Sequence, residues 1–316
     1  MSRNQSSAAG PRPSTFSIVA RDPSRDAVGI AVHSKFVGVG AVVPFAAADA
    51  GAVATQSFAN VAFGPDGLDV LREGHTADEA LEALLAEDDR PERRQVGIVG
   101  ADGSVAAHTG AECFDVAGDV QGAEYTVQGN ILENEETLTT MADAYEDASG
   151  GFPERLLAAL RAGNEAGGDS RGEQSAALYV AKPEGGYDGG NDRWIDVRVD
   201  DHESPIDELE RVFRVYDVTL LSREAPENVR PLSGTTAEAV TATLGELGYY
   251  DGEPTSTFGD AERDALEAFR GMNNFENHDL NVLEDALARG WDDAEGHGTD
   301  RMVNAIWRGL SRLERL

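Results

Sequence analysis

The sequence predicts an α+β protein: a four-layer αββα sandwich, made of two stacked antiparallel sheets with helices outside, followed by a small all-α bundle. Three observations point to this fold class. Strand-like and helix-like segments come in groups, unlike the strict alternation of a doubly wound parallel fold. Several strand-like segments are rich in Ala, Gly and Val and nearly free of charge, which is typical of strands buried on both faces. The last part of the chain carries helical periodicity only.

The strands come first in the chain. Order is predicted to begin at Thr15, after a Ser-, Pro- and Ala-rich leader that covers residues 1–14. Asp102-Gly103 marks the turn of a hairpin. Segments of strand composition, most of them bounded by turn signals, follow one another along the chain: 15–22, 28–35, 41–45, 52–58, 95–100, 104–108, 124–130, 175–182 and 194–200.

Helices are predicted between and after these strands. Thr76 and Glu79 have the spacing of a capping box ahead of an amphipathic run, so the first helix is expected to begin there. The remaining helices are predicted from apolar residues recurring on one face: 133–148, 153–165, 206–216, 236–250, 260–272, 280–290 and 300–310. Residues 217–232 contain two prolines and show weak periodicity, which indicates a linker. The predicted organisation is a leader, a sandwich domain, a linker and a helical domain, at residues 1–14, 15–216, 217–232 and 233–316.

The charge of the chain excludes some classes of function. The chain has 58 Asp and Glu against 26 Lys and Arg, a formal net charge of −32 and a pI near 4.3. Nucleic acid is excluded as a partner because phosphate neutralisation needs a basic face, and an anionic membrane would repel this surface. Only Lys35 and Lys182 are lysines. Acidity along the whole chain with almost no Lys predicts halophilic adaptation to a salt-rich cytoplasm.

Metal sites and export are also disfavoured. Cys113 is the single cysteine, which excludes an intramolecular disulfide and a multi-Cys metal site, and it is interpreted as a small buried hydrophobe. The six His residues do not pair at metal-ligand spacing, so no metal and no organic cofactor are expected. No apolar run is long enough to span a membrane, and residues 1–14 lack the apolar core of a secretory signal. A cytoplasmic protein is therefore predicted.

Polar side chains gather at the ends of otherwise apolar strands. A single cluster of this kind is typical of a turn, but buried polar groups need partners. Several such clusters in one domain favour a convergent site. The candidate site residues drawn from these clusters are Thr15, Ser34, Lys35, Gln56, His108, Gln128, Asn130, Asp169, Arg171 and Ser175.

A family resemblance runs through the same segments. TFSIVARD, GIAVHSKFVGVGAVVPF, GAVATQSFAN with GPDGLDVL, AAHTG, YTVQGN, GGDSRGEQSAAL and IDVRVDDHESPIDEL occur in order between about residues 15 and 216. Together they resemble the family called domain of unknown function 1028, which is grouped with the N-terminal-nucleophile hydrolases. The resemblance implies the αββα sandwich. It also implies hydrolysis of a C–N amide bond in a small molecule or short peptide.

The resemblance implies a mechanism centred on Thr15. In such hydrolases the first residue of the mature chain attacks the carbonyl with its side chain, and its own α-amine is the general base. Here 14 residues precede Thr15, so its nitrogen is an amide. Three explanations stay open: the leader is cleaved before Thr15, the start is assigned too early, or the protein does not use this chemistry.

The other roles follow from the resemblance and from residue type. Lys35 is expected to lower the pKa of the Thr15 hydroxyl, because a compact ammonium suits that task better than Arg. Asn130 is expected to donate its amide to an oxyanion. The remaining candidates are expected to bind substrate: Ser34, Gln56, His108, Gln128, Asp169, Arg171 and Ser175. The alternative is that this pocket binds a small ligand without catalysis.

The C-terminal segment carries a second resemblance. LGELGYYDGEPTSTFGDAERDALEAFRGMNNF, at 244–275, is similar to a peptidoglycan-binding repeat with a three-helix fold. Its shared residues mostly encode packing, so the resemblance implies a helical accessory or oligomerisation module. Binding to a cell wall or cell surface is the alternative. A homodimer is expected, because antiparallel sandwiches of this kind often associate.

Overall fold

The computed structural model describes residues 14–114 and 116–316. The chain divides into two compact units, Met1–Glu210 and Arg211–Leu316. The leader predicted at residues 1–14 lies outside the described residues except for Ser14, which is buried.

Within the described residues of the first unit, ten strands form two antiparallel sheets. The larger sheet has the order β10-β9-β2-β1-β8-β7 and the smaller one the order β3-β4-β5-β6. In chain order the strands are β1 (Thr15–Asp22), β2 (Ala27–Ser34), β3 (Pro44–Ala47), β4 (Gly51–Ser57), β5 (Arg94–Gly100), β6 (Val105–Thr109), β7 (Gly118–Gln121), β8 (Tyr125–Asn130), β9 (Ser175–Ala181) and β10 (Arg193–Val199).

The two sheets pack against each other through small apolar side chains. Val19, Val28, Ile30 and Val32 of the larger sheet form one buried cluster with residues of the smaller sheet, among them Ala52, Ala54 and Val99. Because side chains alternate along a strand, Thr15 and Ser17 face the same interlayer space as Val19. Burial on both faces is predicted for the charge-free segments 41–45 and 52–58. It is confirmed for β4, which is buried along its whole length. It is wrong for 41–45, where Ala41 is exposed and Val43 alone is buried.

Helices cover the outer face of each sheet. The helices of the first unit are α1 (Phe63–Arg72), α2 (Ala77–Glu87), α3 (Glu136–Asp147), α4 (Phe152–Glu165) and the start of α5 (Pro205–Leu220). Helices α1 and α2 pack on the smaller sheet, and α3 and α4 pack on the larger one. The predicted capping box at Thr76 and Glu79 is present at the start of α2.

Three elements differ from the sequence prediction. Helix α1 was not expected, because Gly64, Pro65 and Gly67 are helix breakers; Pro65 is tolerated because it lies in the first turn, where its missing N–H costs nothing. The short polar strand β7 was also not expected. The strand predicted at 41–45 is displaced: Val39–Ala41 form a 3-10 turn and β3 begins at Pro44.

The second unit is helical. It contains the end of α5 and then α6 (Gly234–Glu246), α7 (Asp260–Met272), α8 (Leu280–Gly290) and α9 (Gly298–Leu310), packed around one apolar cluster. A buried carboxylate, Asp217, accepts hydrogen bonds from Arg223, Arg315 and Trp307. Burial acts to raise the pKa of Asp217, but the two guanidinium groups of Arg315 and Arg223 outweigh it and hold that pKa below its usual value.

No helix in the described residues combines the length and apolar character needed to cross a membrane.

Candidate active site

Thr15 begins the strand in the middle of the larger sheet. It pairs with Ser34 of β2 on one side and with Asn130 of β8 on the other. Its side chain is 2% exposed. Thr15, the first residue of the apolar strand β1, therefore places its hydroxyl in the space between the two sheets. It lies next to the last residues of β2 and β8.

Ser34 links the Thr15 hydroxyl to the preceding peptide bond. The Thr15 Oγ1 donates a hydrogen bond to Ser34 Oγ at 3.2 Å. The Ser34 hydroxyl in turn donates to the main-chain oxygen of Ser14. The Thr15 hydroxyl, the Ser34 hydroxyl and a carbonyl oxygen thus form one chain of hydrogen bonds. This arrangement can carry a proton from the Thr15 hydroxyl toward the carbonyl oxygen of the Ser14–Thr15 peptide bond.

A buried glutamine network lies beneath Thr15. Gln56 Nε2 contacts the main-chain oxygen of Thr15 at 3.3 Å, and Gln56 Oε1 accepts from Ser17 Oγ at 2.7 Å. Gln128 Nε2 donates to the same Ser17 Oγ at 2.6 Å. Side chains from both sheets are therefore joined by hydrogen bonds below Thr15, which fixes the orientation of the Gln56 and Gln128 amides.

Gln95 is a central member of this network that the sequence analysis missed. Its Nε2 donates to the main-chain oxygen of Gly129 at 2.7 Å and that of Gly118 at 3.1 Å. Its Oε1 accepts from Gln56 at 2.9 Å and from Asn130 at 2.9 Å. The signal was present in the sequence: Gln95 opens the apolar strand QVGIVG and is the register partner of Gln56.

Asn130 presents an acceptor, rather than a donor, to the site. Its Nδ2 donates to Gln95 Oε1 and lies 3.4 Å from the main-chain oxygen of Thr15. Its Oδ1 is buried and has no hydrogen-bond partner among the described residues. The sequence analysis assigned an oxyanion-stabilising amide to Asn130, but both amide hydrogens are directed to other oxygens in this structure.

The backbone is strained at the residue directly after two of these polar strand-end residues. Ser57, directly after Gln56, has φ of 66°, and Ile131, directly after Asn130, has φ of 53°. Positive φ is rare for residues other than Gly and is a genuine outlier for a β-branched residue such as Ile. Each such residue costs about 1–3 kcal/mol and such strain clusters at functional sites.

A cavity opens next to Thr15. Its volume is ≈ 240 Å³, and its walls come from the end of β4, the loop after it and the segment between β2 and β3. The residues that line this Thr15 cavity are Thr15, Phe36, Val39, Val42, Val43, Gln56, Ser57, Phe58, Ala59 and Val61.

The other predicted site residues lie around this centre and not in it. Lys35 is exposed and its Nζ donates to the main-chain oxygen of Glu173 at 2.7 Å, so it does not contact the Thr15 hydroxyl. His108 bonds the main-chain oxygen of Pro91 at 2.9 Å. His108 lies on β6 of the smaller sheet, and neither of these side chains has a hydrogen bond to Thr15 among the described residues.

Asp169, Arg171 and Ser175 shape the segment that follows β2. Asp169 accepts from the main-chain N–H of Lys35 at 2.8 Å and from that of Arg171 at 2.9 Å. Ser175 Oγ accepts from the N–H of Val39 at 3.1 Å and donates to the main-chain oxygen of Phe36. These side chains hold the backbone that supplies Phe36 and Val39 to the Thr15 cavity.

His33 is buried on the opposite face of β2. It stacks on Phe16 with ring centroids 4.8 Å apart, and neither ring nitrogen has a hydrogen-bond partner among the described residues. Burial lowers its pKa from 6.5 to about 4, with Asp169 acting in the opposite direction and Lys35 adding to the decrease. Among the described residues, no three His, Cys, Asp or Glu side chains cluster as a metal site would require.

Comparison with known proteins places this fold in a family. The chain belongs to the Family of unknown function (DUF1028), which matches residues 15–209. Residues 219–307 match the family described as "Putative peptidoglycan binding domain". Both resemblances stated from the sequence are thereby confirmed at the level of the family.

A solved structure supports the same assignment. The chain is similar to protein SPO2555 from Silicibacter pomeroyi, a DUF1028 protein with a crystal structure. The two share 31% identity over 65% of this chain and 89% of that chain, with a TM-score of 0.59. The chain has no match among curated proteins.

Proposed function

We propose that the first unit is an N-terminal-nucleophile hydrolase that cleaves a C–N amide bond of a small molecule or short peptide, with Thr15 as the nucleophile. The two facing sheets, each with a helix pair on its outer side, are consistent with the four-layer αββα sandwich of such enzymes. The single observation that carries the proposal is the hydrogen-bond chain from Thr15 Oγ1 through Ser34 Oγ to the Ser14 carbonyl oxygen.

The first step is removal of the leader. Thr15 Oγ1 attacks the carbonyl carbon of Ser14, and its proton passes to Ser34 as the Ser34 proton moves to the developing oxyanion. When the tetrahedral centre collapses, the Ser14–Thr15 C–N bond breaks and the nitrogen takes up a proton, leaving an ester on Thr15. Water hydrolyses that ester, which releases a Ser14 carboxylate and restores the Thr15 hydroxyl beside a free α-amine.

The same groups then act on a substrate. A free α-amine has a pKa near 7.7–8.0, so at neutral pH a useful fraction can take the proton of Oγ1 as the hydroxyl attacks. Ser34 Oγ occupies the position from which it would donate to the oxyanion, a contact worth about 3–4 kcal/mol. Asn130 Oδ1, the unpartnered acceptor beside the Thr15 main chain, would orient the amine.

The position of the α-amine provides the test. A chain produced to begin at Thr15 is compared with one that carries a single extra Gly before Thr15, on a panel of small amides. We expect hydrolysis by the first chain only, because the second has an amide nitrogen at Thr15 and its amine is displaced. The Thr15→Ala chain is the matched control. Equal hydrolysis by all three chains would contradict the proposal.

A non-catalytic binding protein is the second candidate for this unit. The burial of Ser14 favours it, because a residue that stays in place would keep the Thr15 nitrogen as an amide beside an open cavity. A native protein that retains its leader, binds a small ligand and hydrolyses none of the amides would support this function.

For the second unit we propose a binding module for cell-wall polymer, supported by the family match over residues 219–307. Co-sedimentation of the full chain with insoluble peptidoglycan, and with chitin as the control polymer, tests this proposal. Selective co-sedimentation with peptidoglycan is expected. Equal recovery with both polymers, or with neither, would favour an accessory packing or oligomerisation role.

A further inference from the structure

The Thr15 cavity has a polar end and an apolar body. The polar end is formed by Thr15, Gln56 and Ser57, and every other lining residue is apolar. No charged side chain lines it. An amide bond fits the polar end, where hydroxyl and amide groups converge, while the group attached to that amide would lie among Val and Phe side chains.

Ser57 adds a small polar residue at that end. Its side chain is buried next to Cys113. Burial raises the pKa of the Cys113 thiol, and a hydrogen bond with the Ser57 side chain acts in the opposite direction. The Ser57 hydroxyl therefore has a partner within the protein, and the polar groups that meet a bound amide at this end are those of Thr15 and Gln56.

The apolar body has a definite capacity. A cavity of about 150 Å³ lined by aliphatic and aromatic side chains binds benzene, and this one measures ≈ 240 Å³. A phenyl ring or a branched aliphatic chain with its attached carbonyl therefore fits. Burying such a group contributes about 25 cal/mol per Å² of apolar surface, whereas a carboxylate placed there would lose its hydration with no cation in the wall.

The mouth of the cavity is also apolar. Val61 at the rim is 45% exposed and neighbouring Val37 is 55% exposed, on a protein whose net charge is −32. Two arginines contact the lining residue Phe58, and both are paired with acids. Arg94 donates to the main-chain oxygen of Phe58 and pairs with Asp88 at 3.0 Å. Arg93 lies 5.3 Å from the Phe58 ring centroid and pairs with Glu112 at 2.9 Å. An uncharged substrate would meet neither the repulsion of the acidic surface nor a need for a counter-charge.

We propose that the Thr15 cavity binds the uncharged, apolar acyl group of the amide substrate, of the size of phenylacetyl or a branched aliphatic acyl group. This assignment rests on the proposed function, since it takes the substrate to be an amide attacked by Thr15. It adds the specificity: the valine and phenylalanine walls select the acyl group, and anionic acyl groups are excluded.

Direct binding tests the assignment without requiring turnover. The full chain carrying Thr15→Ala is titrated by calorimetry with phenylacetamide, acetamide and the anion succinamate. The cavity is open with Ser14 in place, so this unprocessed chain suits the measurement. We expect phenylacetamide to bind at least tenfold more tightly than either of the other two amides.

Cavity-filling variants identify the place of binding. Ala59→Phe inserts a ring into the cavity and is expected to weaken phenylacetamide binding at least tenfold. Ala123→Phe, at an exposed position in the turn between β7 and β8, is the matched control and should change the affinity less than twofold. Thermal unfolding establishes that each variant is folded, and Val42→Phe replaces Ala59→Phe if that chain does not fold.

Succinamate binding as tightly as phenylacetamide, absence of phenylacetamide binding, or an unchanged affinity in the folded filling variant would each overturn the assignment. Hydrolysis of phenylacetamide by the native chain is measured separately. Binding without hydrolysis would leave the cavity assignment standing and contradict the Thr15 nucleophile. Hydrolysis without preference for the apolar amide would support the Thr15 nucleophile and contradict the cavity assignment.

Discussion

Asn130 places an uncommitted acceptor beside the main chain of Thr15. A peptide nitrogen at Thr15 carries one hydrogen, whereas a free α-amine carries two or three. The buried Oδ1 of Asn130 has no partner among the described residues, and a buried acceptor in that state costs about 1–3 kcal/mol. Cleavage before Thr15 would supply donors for it, so the local hydrogen-bond pattern is better suited to the processed chain than to the unprocessed one.

Gln95 is expected to determine the stability of the network below Thr15. In Gln95→Leu the amides of Gln56 and Asn130 lose their shared acceptor, and the oxygens of Gly129 and Gly118 lose a donor. At about 1–3 kcal/mol for each buried group left unpaired, we expect the free energy of unfolding to fall by at least about 3 kcal/mol.

Urea denaturation at neutral pH measures this change. Gln121→Leu is the matched control, because Gln121 is an exposed glutamine on β7, and it should alter the free energy of unfolding by less than about 0.5 kcal/mol. Equal effects of the two substitutions would mean that the network does not stabilise the fold.

His33 is expected to make the protein less stable in mild acid. Its pKa is about 4 in the folded protein and near 6.5 when unfolded, so the unfolded chain binds more protons between these two values. The stability contributed by neutral His33 is complete above pH 6.5 and is lost as the pH falls. By linkage, about 2 kcal/mol is lost between pH 7.5 and pH 5.

Urea denaturation of His33→Leu at both pH values checks this prediction. The loss between pH 7.5 and pH 5 should be smaller in this variant than in the wild type. It should not vanish, because burial lowers the pKa of His278 to about 4 as well. His75→Leu, at an exposed position, is the control. An unchanged pH dependence in His33→Leu would show that His33 is not buried in its neutral form.

Among the elements, most strands were predictable, whereas helix α1 and strand β7 were not. Apolar composition and turn signals located the buried strands of both sheets, although β3 begins later than predicted. Helix α1 contains Gly64, Pro65 and Gly67, which argue against a helix locally, and tertiary packing overrides that preference. Strand β7 is four residues long and polar, so it has too little periodicity to be recognised.

The candidate site was predictable in part for the same reason. Thr15, Ser34, Gln56, Gln128 and Asn130 are polar residues at the ends of buried strands, and antiparallel pairing brings those ends together. Gln95 follows the same pattern but was assigned to its hairpin alone. The side chain of Lys35, just beyond the end of β2, and that of His108, on β6, bond main-chain carbonyls whose positions only the folded chain defines.

Gly64 lies where helix α1 packs closely on the smaller sheet, so a substitution there tests that packing. A Cβ at Gly64 would lie 2.2 Å from the ring of Phe45, and so short a contact requires the helix or the ring to move. Overpacking of this kind costs about 1–3 kcal/mol, so Gly64→Ala should lower the free energy of unfolding by that amount.

The result is read by urea denaturation against Gly271→Ala in α7, where a Cβ would make an ordinary contact with Glu276 Oε1 at 3.9 Å. That control should be neutral or stabilising by about 0.5–1 kcal/mol. A Gly64→Ala protein as stable as the wild type would show that α1 does not pack this closely on β3.

At the scale of the whole molecule, the net charge of −32 governs the response to salt. Self-repulsion among exposed carboxylates opposes the compact state, and the Debye length falls from about 10 Å at 0.1 M salt to about 3 Å at 1 M. We expect the Tm to rise by more than about 5 °C between 0.1 M and 2 M KCl. Scanning calorimetry, with sucrose as an uncharged control cosolute, measures this rise.

Added salt should not weaken the buried ion pairs of the second unit. Asp217 with Arg223 and Arg315 is largely inaccessible to water, so added salt screens it little and the gain at the surface is retained. A Tm that falls or stays unchanged between 0.1 M and 2 M KCl would contradict the interpretation of the acidic surface as adaptation to a salt-rich cytoplasm. A rise in sucrose is expected for any protein, because sucrose is excluded from the protein surface.

We propose that Thr15 becomes the first residue of the mature chain through its own hydroxyl, and the intact mass of the purified native protein measures this. We expect a chain that begins at Thr15, retention of residues 1–14 in Thr15→Ala, and slower processing in Ser34→Ala. A native protein that begins at Met1, or a Thr15→Ala chain that still begins at residue 15, would contradict it.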